Sequence, residues 1–443
     1  MSFNIDNQTY RDLNIFDSYS EPIYNMFKGT RTLGARDLLK AIMQNPSTDI
    51  QYISSRRDAI KYFFDNKLSL EIKNENLDLI EFYLNSNGRK SEKNLIDSFV
   101  KYVTKNSSND YYIIKTGLKN LIKLVKYIST FNLEIMAKDD VPDSLIKISE
   151  KIKSIIEVGL LCDAIRLNED TLNFYQITKL DHAFRGEEKD KIFEFLQIVY
   201  EFDVLESLAL TTKKKGLCFP EYIDGDDINV SIISLFHPQI PNPVKNDIVF
   251  KREDNILFLT GSNMSGKSSL LKSLGLIIYL SHLGFPVPAT AMKTTIFNGL
   301  ITTINLPDDI NQGLSHYYSE VKRVKQIASA LLENDKMFII LDELFKGTNV
   351  KDAFDASLLI ISELTHIHNS VFLISTHIME LAEVLNKYKN ISFKYLDTSY
   401  EEKKVRFTYK LTDGISSERL GMFIVENEGI VDIIKKASYK QKK

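Results

Sequence analysis

The chain has 443 residues, more than one ordinary domain holds, with enough apolar content for real cores and a formal net charge of −3. That balance excludes a global basic field, so any nucleic-acid contact has to come from local patches. Two cysteines, Cys162 and Cys218, far apart and without a histidine at ligand spacing, argue against a disulfide scaffold or a zinc site and suit a reducing cytosol. The polar segment Met1–Tyr10 shows no signal peptide, and no uninterrupted apolar run is long enough to span a bilayer. A cytoplasmic protein without membrane contact is expected.

Taken in order, the chain opens with Asp12-Leu13-Asn14-Ile15-Phe16. A helix with Leu33, Leu38, Leu39 and Ile42 on one side ends at Pro46, and Asp49 caps the next, which carries Ile53, Ile60 and Phe64. Residues 66–210 read almost wholly as helix. Between Asp110 and Leu133, Ile113, Ile114, Leu118, Leu121, Ile122 and Val125 form one face, while Lys115, Lys119 and Lys123 form another. Such a lysine stripe is either a solvated face or a track for phosphates. Further helices start at Pro142-Asp143 and run from Glu187 to Leu210. Lys213-Lys214-Lys215-Gly216 reads as a loop, and beyond it β-branched runs begin at Ile228–Leu235. The reading is therefore an all-α domain over 1–215, then an α/β domain over 216–443. In the second, Ile256–Leu259, Met337–Leu341 and Val371–Ile374 are continuous apolar runs separated by helices. That pattern means a mostly parallel sheet with helices on both faces. Residues 391–411 alternate more, as an antiparallel edge would.

The chemistry centres on Gly261-Ser262-Asn263-Met264-Ser265-Gly266-Lys267-Ser268, which fits G-x-x-x-x-G-K-[ST] between a strand and a helix. Successive backbone N–H groups there point at a polyanion, and the helix start adds partial positive charge. Gly261 and Gly266 allow geometry a Cβ would block. Lys267 is placed to reach the β and γ phosphates of ATP, and the Ser268 hydroxyl to ligate Mg²⁺; Ser269 completes the loop. Asp342-Glu343, ending an apolar run, gains its meaning from that loop. Asp342 would hold Mg²⁺ through water and Glu343 would orient the attacking water. His377, after Ser375-Thr376, could sense the γ phosphate. Positioning and charge stabilisation are what in-line attack by water asks of such groups.

The order of these pieces resembles the ATPase of the MutS family, the ABC-related clamp proteins of DNA mismatch repair. The resemblance is carried by Thr260 to Ser268, Gly284-Phe285-Pro286-Val287-Pro288-Ala289, Asp308-Asp309-Ile310 and Gly313-Leu314-Ser315 through Glu320. Leu341-Asp342-Glu343-Leu344-Phe345-Lys346-Gly347-Thr348-Asn349, Ser375-Thr376-His377 and His237-Pro238 complete it. More faintly, Leu13 to Phe16, Thr32 to Arg36, Pro46, Asp49-Ile50 and Arg57-Asp58-Ala59 look like the start of the family's helical core. The resemblance implies a P-loop, ABC-type ATPase working as a homodimer, with ATP sandwiched between one subunit's loop and the other's Ser315. It also implies a lever joining that ATPase to duplex or branched DNA. It leaves no room for the family's mismatch-recognition and connector domains, so no strong mismatch preference is expected. His316 stands where the family usually has Thr. No aromatic lies between His237 and Asp247, where the family stacks adenine, which leaves Val244 to cover the base. The C-terminal stretch Glu428–Lys443 reads as one short helix and a basic tail. Two other classes stay open: a MutS-branch motor acting on branched nucleic acid or ribosomes, and a regulatory dimer that binds ATP with little turnover.

Overall fold

The three continuous apolar runs become neighbouring strands of one sheet. The computed structural model describes residues 3–16, 21–86, 109–261, 265–304, 316–401, 404–416 and 428–440. In chain order the strands are β1 (Asn4–Ile5), β2 (Glu221–Ile223), β3 (Asn229–Leu235), β4 (Asn246–Lys251), β5 (Ile256–Thr260), β6 (Ala291–Thr295), β7 (Gly299–Thr303), β8 (Met337–Asp342), β9 (Val371–Thr376), β10 (Ile391–Glu401) and β11 (Lys404–Asp413). Seven form a sheet of order β1-β7-β8-β9-β5-β10-β11. It is parallel throughout except for the β10–β11 pair. The stretch read as an antiparallel edge is thus divided: β10 runs parallel to β5, and only β11 is the antiparallel edge.

Every residue of β5, β8 and β9 is buried, which is why these strands read as unbroken apolar runs rather than alternating ones. Alternate side chains leave the sheet in opposite directions. Phe258, Ile339, Leu341, Phe372 and Ile374 enter a core shared with helices His316–Glu333, Val350–Leu364 and Met379–Leu385. Ile340 goes the other way, toward helix Lys267–Ser281, which approaches so closely that a Cβ on Gly275 would lie 3.2 Å from Ile340 Cδ1. Each such fully buried Ile or Phe contributes about 1.5–3 kcal/mol. A second sheet, of order β2-β6-β3-β4, packs Phe250 edge-on against Phe338, ring centroids 5.7 Å apart.

The chain divides into two compact units, one of residues 1–23, 46–53 and 215–443, the other of 24–45 and 54–214. Two N-terminal pieces thus cluster with the α/β unit. The reason is specific bonding. β1 pairs in parallel with β7. Asp12, buried on the first helix, accepts hydrogen bonds from Thr302 Oγ1 at 2.7 Å and the Ile304 amide at 2.9 Å. Thr9 Oγ1 accepts from the Thr302 amide at 3.0 Å, and Arg323 pairs with Asp6.

The other unit is helical where described. Helix Lys189–Lys215 contributes Phe202 to a ring cluster with Phe63 and Phe131, at centroid distances of 5.6 to 6.3 Å. Its Asp203 accepts from the Thr32 amide at 2.9 Å and the Thr32 hydroxyl at 2.8 Å. Lys213–Lys215 form its last turn rather than the loop expected from their charge, and the helix stops at Gly216 with φ +64°. Among the described residues no helix is long and apolar enough to cross a membrane.

Candidate phosphate-binding site

The parallel order puts the ends of β5, β8 and β9 side by side, and pairs Thr260 with Thr376 and Asp342 with Ser375. Ligands of open parallel sheets bind beyond the C-terminal ends of the strands, and Gly261, Gly266, Lys267, Ser268, Asp342, Glu343 and His377 gather there. Ser262, Asn263, Met264 and Ser315 lie outside the described residues.

After β5 the backbone turns through Gly261 at φ +138° and reaches Gly266 at φ +97°, the N-cap of helix Lys267–Ser281. A Cβ on Gly266 would stand 2.8 Å from Tyr409 Cδ1, so the position is closed to side chains on both conformational and steric grounds. The first amides of the helix have no intrahelical acceptor and present partial positive charge. Ser265 is buried.

The Lys267 side chain is 3% exposed, and its Nζ donates to the Gly261 carbonyl and lies 3.8 Å from Glu343 Oε1. Burial lowers its pKa, and the nearby carboxylates of Glu343 and Asp342 work against that. Ser268 Oγ donates to Asp342 Oδ2 at 3.2 Å. Ser375 supports the acidic pair twice: its hydroxyl donates to Asp342 Oδ1, and its carbonyl accepts from the Glu343 amide at 2.9 Å. Burial raises the pKa of Asp342, with the Ser375 hydrogen bond opposing. Glu343 differs. His377 Nδ1 at 3.7 Å, then Lys346 Nζ at 3.0 Å and Lys267, hold its carboxyl down to about 2. Its backbone sits at φ +48° and that of Phe345 at φ +63°. Two left-handed non-glycine residues within three positions store about 1–3 kcal/mol each, a cost typical of functional turns.

A hydroxyl and a carboxylate in contact form a hard-oxygen pair suited to Mg²⁺, which takes few protein ligands. Among the described residues no group of three or more His, Cys, Asp or Glu side chains could hold a metal. The Ser268 hydroxyl and the Asp342 carboxylate are oxygen donors of the kind such an ion takes.

Beside Gly266 opens a cavity of about 320 Å³, lined by His237, Val244, Asn246, Ser269 and Tyr409 among others. Its size suits a small ligand. Val244 lines it together with the rings of Phe236 and Tyr409, and sequence reasoning missed Tyr409. Tyr409 sits at φ +57° where the β10–β11 register shifts between Leu396/Thr398. Bulges of this kind re-aim a side chain. Asn246 clamps it: Nδ2 donates to the Tyr409 carbonyl at 3.1 Å, and Oδ1 accepts from the Leu411 amide at 2.8 Å. Burial, with Lys272 adding, lowers the pKa of His237 to about 4, so the ring is neutral at pH 7.

The lysine stripe lies elsewhere, on helix Asn109–Met136. Lys119 pairs with Asp170 at 2.5 Å and Lys123 reaches the same carboxylate at 3.7 Å, whereas Lys115 is exposed. Cys162 and Cys218 are free thiols, and burial pushes Cys218 up to about 11.

The C-terminal part of the chain is similar to known proteins. The family model for MutS domain V matches residues 257–443. The chain is 28% identical over 255 residues to the DNA mismatch repair protein MutS of Persephonella marina, covering 57% of this chain and 29% of that protein. It is 26% identical over 289 residues to the MutS of Aquifex pyrophilus, covering 64% and 33%. With the MutS protein homolog 4 of Mus musculus it shares 28% over 309 residues, 66% and 31% of the two chains. The chain spans about a third of the length of the curated relatives it matches. Over its C-terminal part, where the phosphate loop and the acidic pair meet, the chain is similar to the MutS family.

Proposed function

We propose that this chain is a P-loop ATPase of the ABC type that binds and hydrolyses ATP and couples the cycle to DNA as a MutS-type homodimer. The observation that supports this most is the meeting of Ser268 with Asp342 and of Lys267 with Glu343 at one end of the parallel sheet. The helix amides after Gly266 and the Lys267 ammonium bind the phosphates. An incoming phosphate displaces the Gly261 carbonyl and Glu343 from Lys267, which frees Glu343 to hold a water. His377, 54% exposed with its Nδ1 3.7 Å from Glu343 Oε1, meets a terminal phosphate from the solvent side. Tyr409 and Val244 cover the base. Mg²⁺, when bound, neutralises phosphate charge, and Ser268 and Asp342 are the residues to hold it. Ser315 acts on the nucleotide of a second copy; this role rests on the family resemblance.

Turnover tests the reading. ATP hydrolysis by the chain alone, with duplex or branched DNA, and with RNA or ribosomes is measured side by side. Stimulation by DNA is expected. Stimulation by ribosomes alone assigns the chain to the other branch, and ATP binding without turnover under any condition assigns it to a regulatory dimer. Glu343→Gln is expected to bind ATP like wild type and to lose turnover by about a hundredfold or more. Normal turnover in Glu343→Gln contradicts the assignment.

A further inference from the structure

The turn after Glu343 is held from outside. Glu320 lies on helix His316–Glu333 and is 6% exposed. Its two carboxylate oxygens accept separately from consecutive backbone amides, Oε1 from Lys346 at 3.1 Å and Oε2 from Gly347 at 3.2 Å. Consecutive amides converge in this way where a left-handed residue adjoins a right-handed one, and the concavity they make takes an anion. Phe345, at φ +63°, creates it. One turn earlier on the same helix, Tyr317 packs its ring against Phe345 at 5.8 Å between centroids. From the turn so fixed, Lys346 extends back to Glu343 Oε2 at 3.0 Å.

We propose that Glu320 is a positioning residue for the ATPase reaction: its carboxylate latches the Lys346–Gly347 amides, and the latched turn sets where Glu343 stands. The inference rests on Glu343 being the residue that orients water. A carboxylate suits this place because each amide meets its own oxygen, and its charge strengthens each bond. The helix carrying Glu320 begins directly after Ser315, so any shift of its first turn changes the latch. The latch acts on the turn after Glu343, so its loss bears on the chemical step rather than on nucleotide affinity.

The test compares Glu320→Ala, Glu320→Gln and Glu320→Asp with wild type in ATP affinity, steady-state turnover, thermal unfolding and amide exchange of the 343–349 segment. In Glu320→Ala, kcat is expected to fall by about tenfold to a hundredfold, the effect of a misplaced catalytic group, with ATP Kd within about threefold. Exchange of the Lys346 and Gly347 amides should accelerate, and Glu320→Asp, which keeps two acceptors, should recover part of both effects. Unchanged kcat, or unchanged exchange at those amides, overturns the latch. So does a joint loss of kcat, affinity and thermal stability in both Glu320→Ala and Glu320→Gln, which describes a merely structural residue. Glu343→Gln as a control separates the two claims: normal turnover there removes the reading of Glu343, whereas the exchange measurement still reports on Glu320.

Discussion

Glu343 is held ionised by its neighbours, and this has a consequence for stability. Its carboxyl sits at about 2, below the 4.5 of a free glutamate. A lowered folded value stabilises the fold at every pH above about 4.5, and the contribution is lost as pH falls from there toward 2. The stability difference between wild type and Glu343→Gln, measured by denaturant unfolding, should therefore be flat above about pH 5 and shrink below about pH 4. A difference that grows on acidification contradicts the proximity of Lys346, Lys267 and His377. Asp342 carries the opposite shift, raised by burial, although it stands next in sequence. Two adjacent carboxylates with opposed environments are what distinct roles require, one at a metal and one at a water. The letters Asp342-Glu343 disclosed the pair, but not Ser375, whose hydroxyl and carbonyl hold both residues from the neighbouring strand.

At the scale of elements, strand β11 and the first helix carry predictions. Tyr409 pays for its left-handed backbone with strain that glycine would relieve. Tyr409→Gly should leave thermal stability equal or higher yet weaken ATP binding by about tenfold, while Tyr409→Phe should bind like wild type, since the proposed base contact is made by the ring and not the hydroxyl. Equal affinity in Tyr409→Gly contradicts the base site. Asp12→Ala leaves the buried Thr302 hydroxyl and the Ile304 amide without their acceptor, so unfolding measurements should show a loss of about 1–3 kcal/mol. These two elements also show where sequence reading stops. The strands and helices around the loop were legible because burial on both faces and helical periodicity are local signals. The left-handed Tyr409 belongs to a register shift, set by pairing with residues on β10 and by Asn246, about 160 positions away in the chain. The two-residue β1 is too short for any pattern, and Asp12 looks like an ordinary surface carboxylate until β7 is placed beside it.

At the scale of the molecule, the division at 215 followed a change of texture, and texture cannot report that residues 1–23 and 46–53 bond with the α/β unit. The chain passes between its two units at 23/24, 45/46, 53/54 and 214/215. In the proposed cycle, ATP closes two copies upon each other and hydrolysis parts them. Glu343→Gln with ATP and Mg²⁺ should sediment as a dimer at concentrations where the same variant without ATP does not.

The claim beneath all of this is that Lys267, Ser268 and Asp342 together hold a magnesium triphosphate. Calorimetric titration of ATP into wild type, Lys267→Ala and Asp342→Asn, each with and without Mg²⁺, tests it most directly. The account predicts that Lys267→Ala binds at least about tenfold more weakly, a loss of about 1.4 kcal/mol, and that Asp342→Asn loses most of the Mg²⁺ dependence seen in wild type. Wild-type affinity in Lys267→Ala, or an Mg²⁺ dependence unchanged in Asp342→Asn, would contradict it.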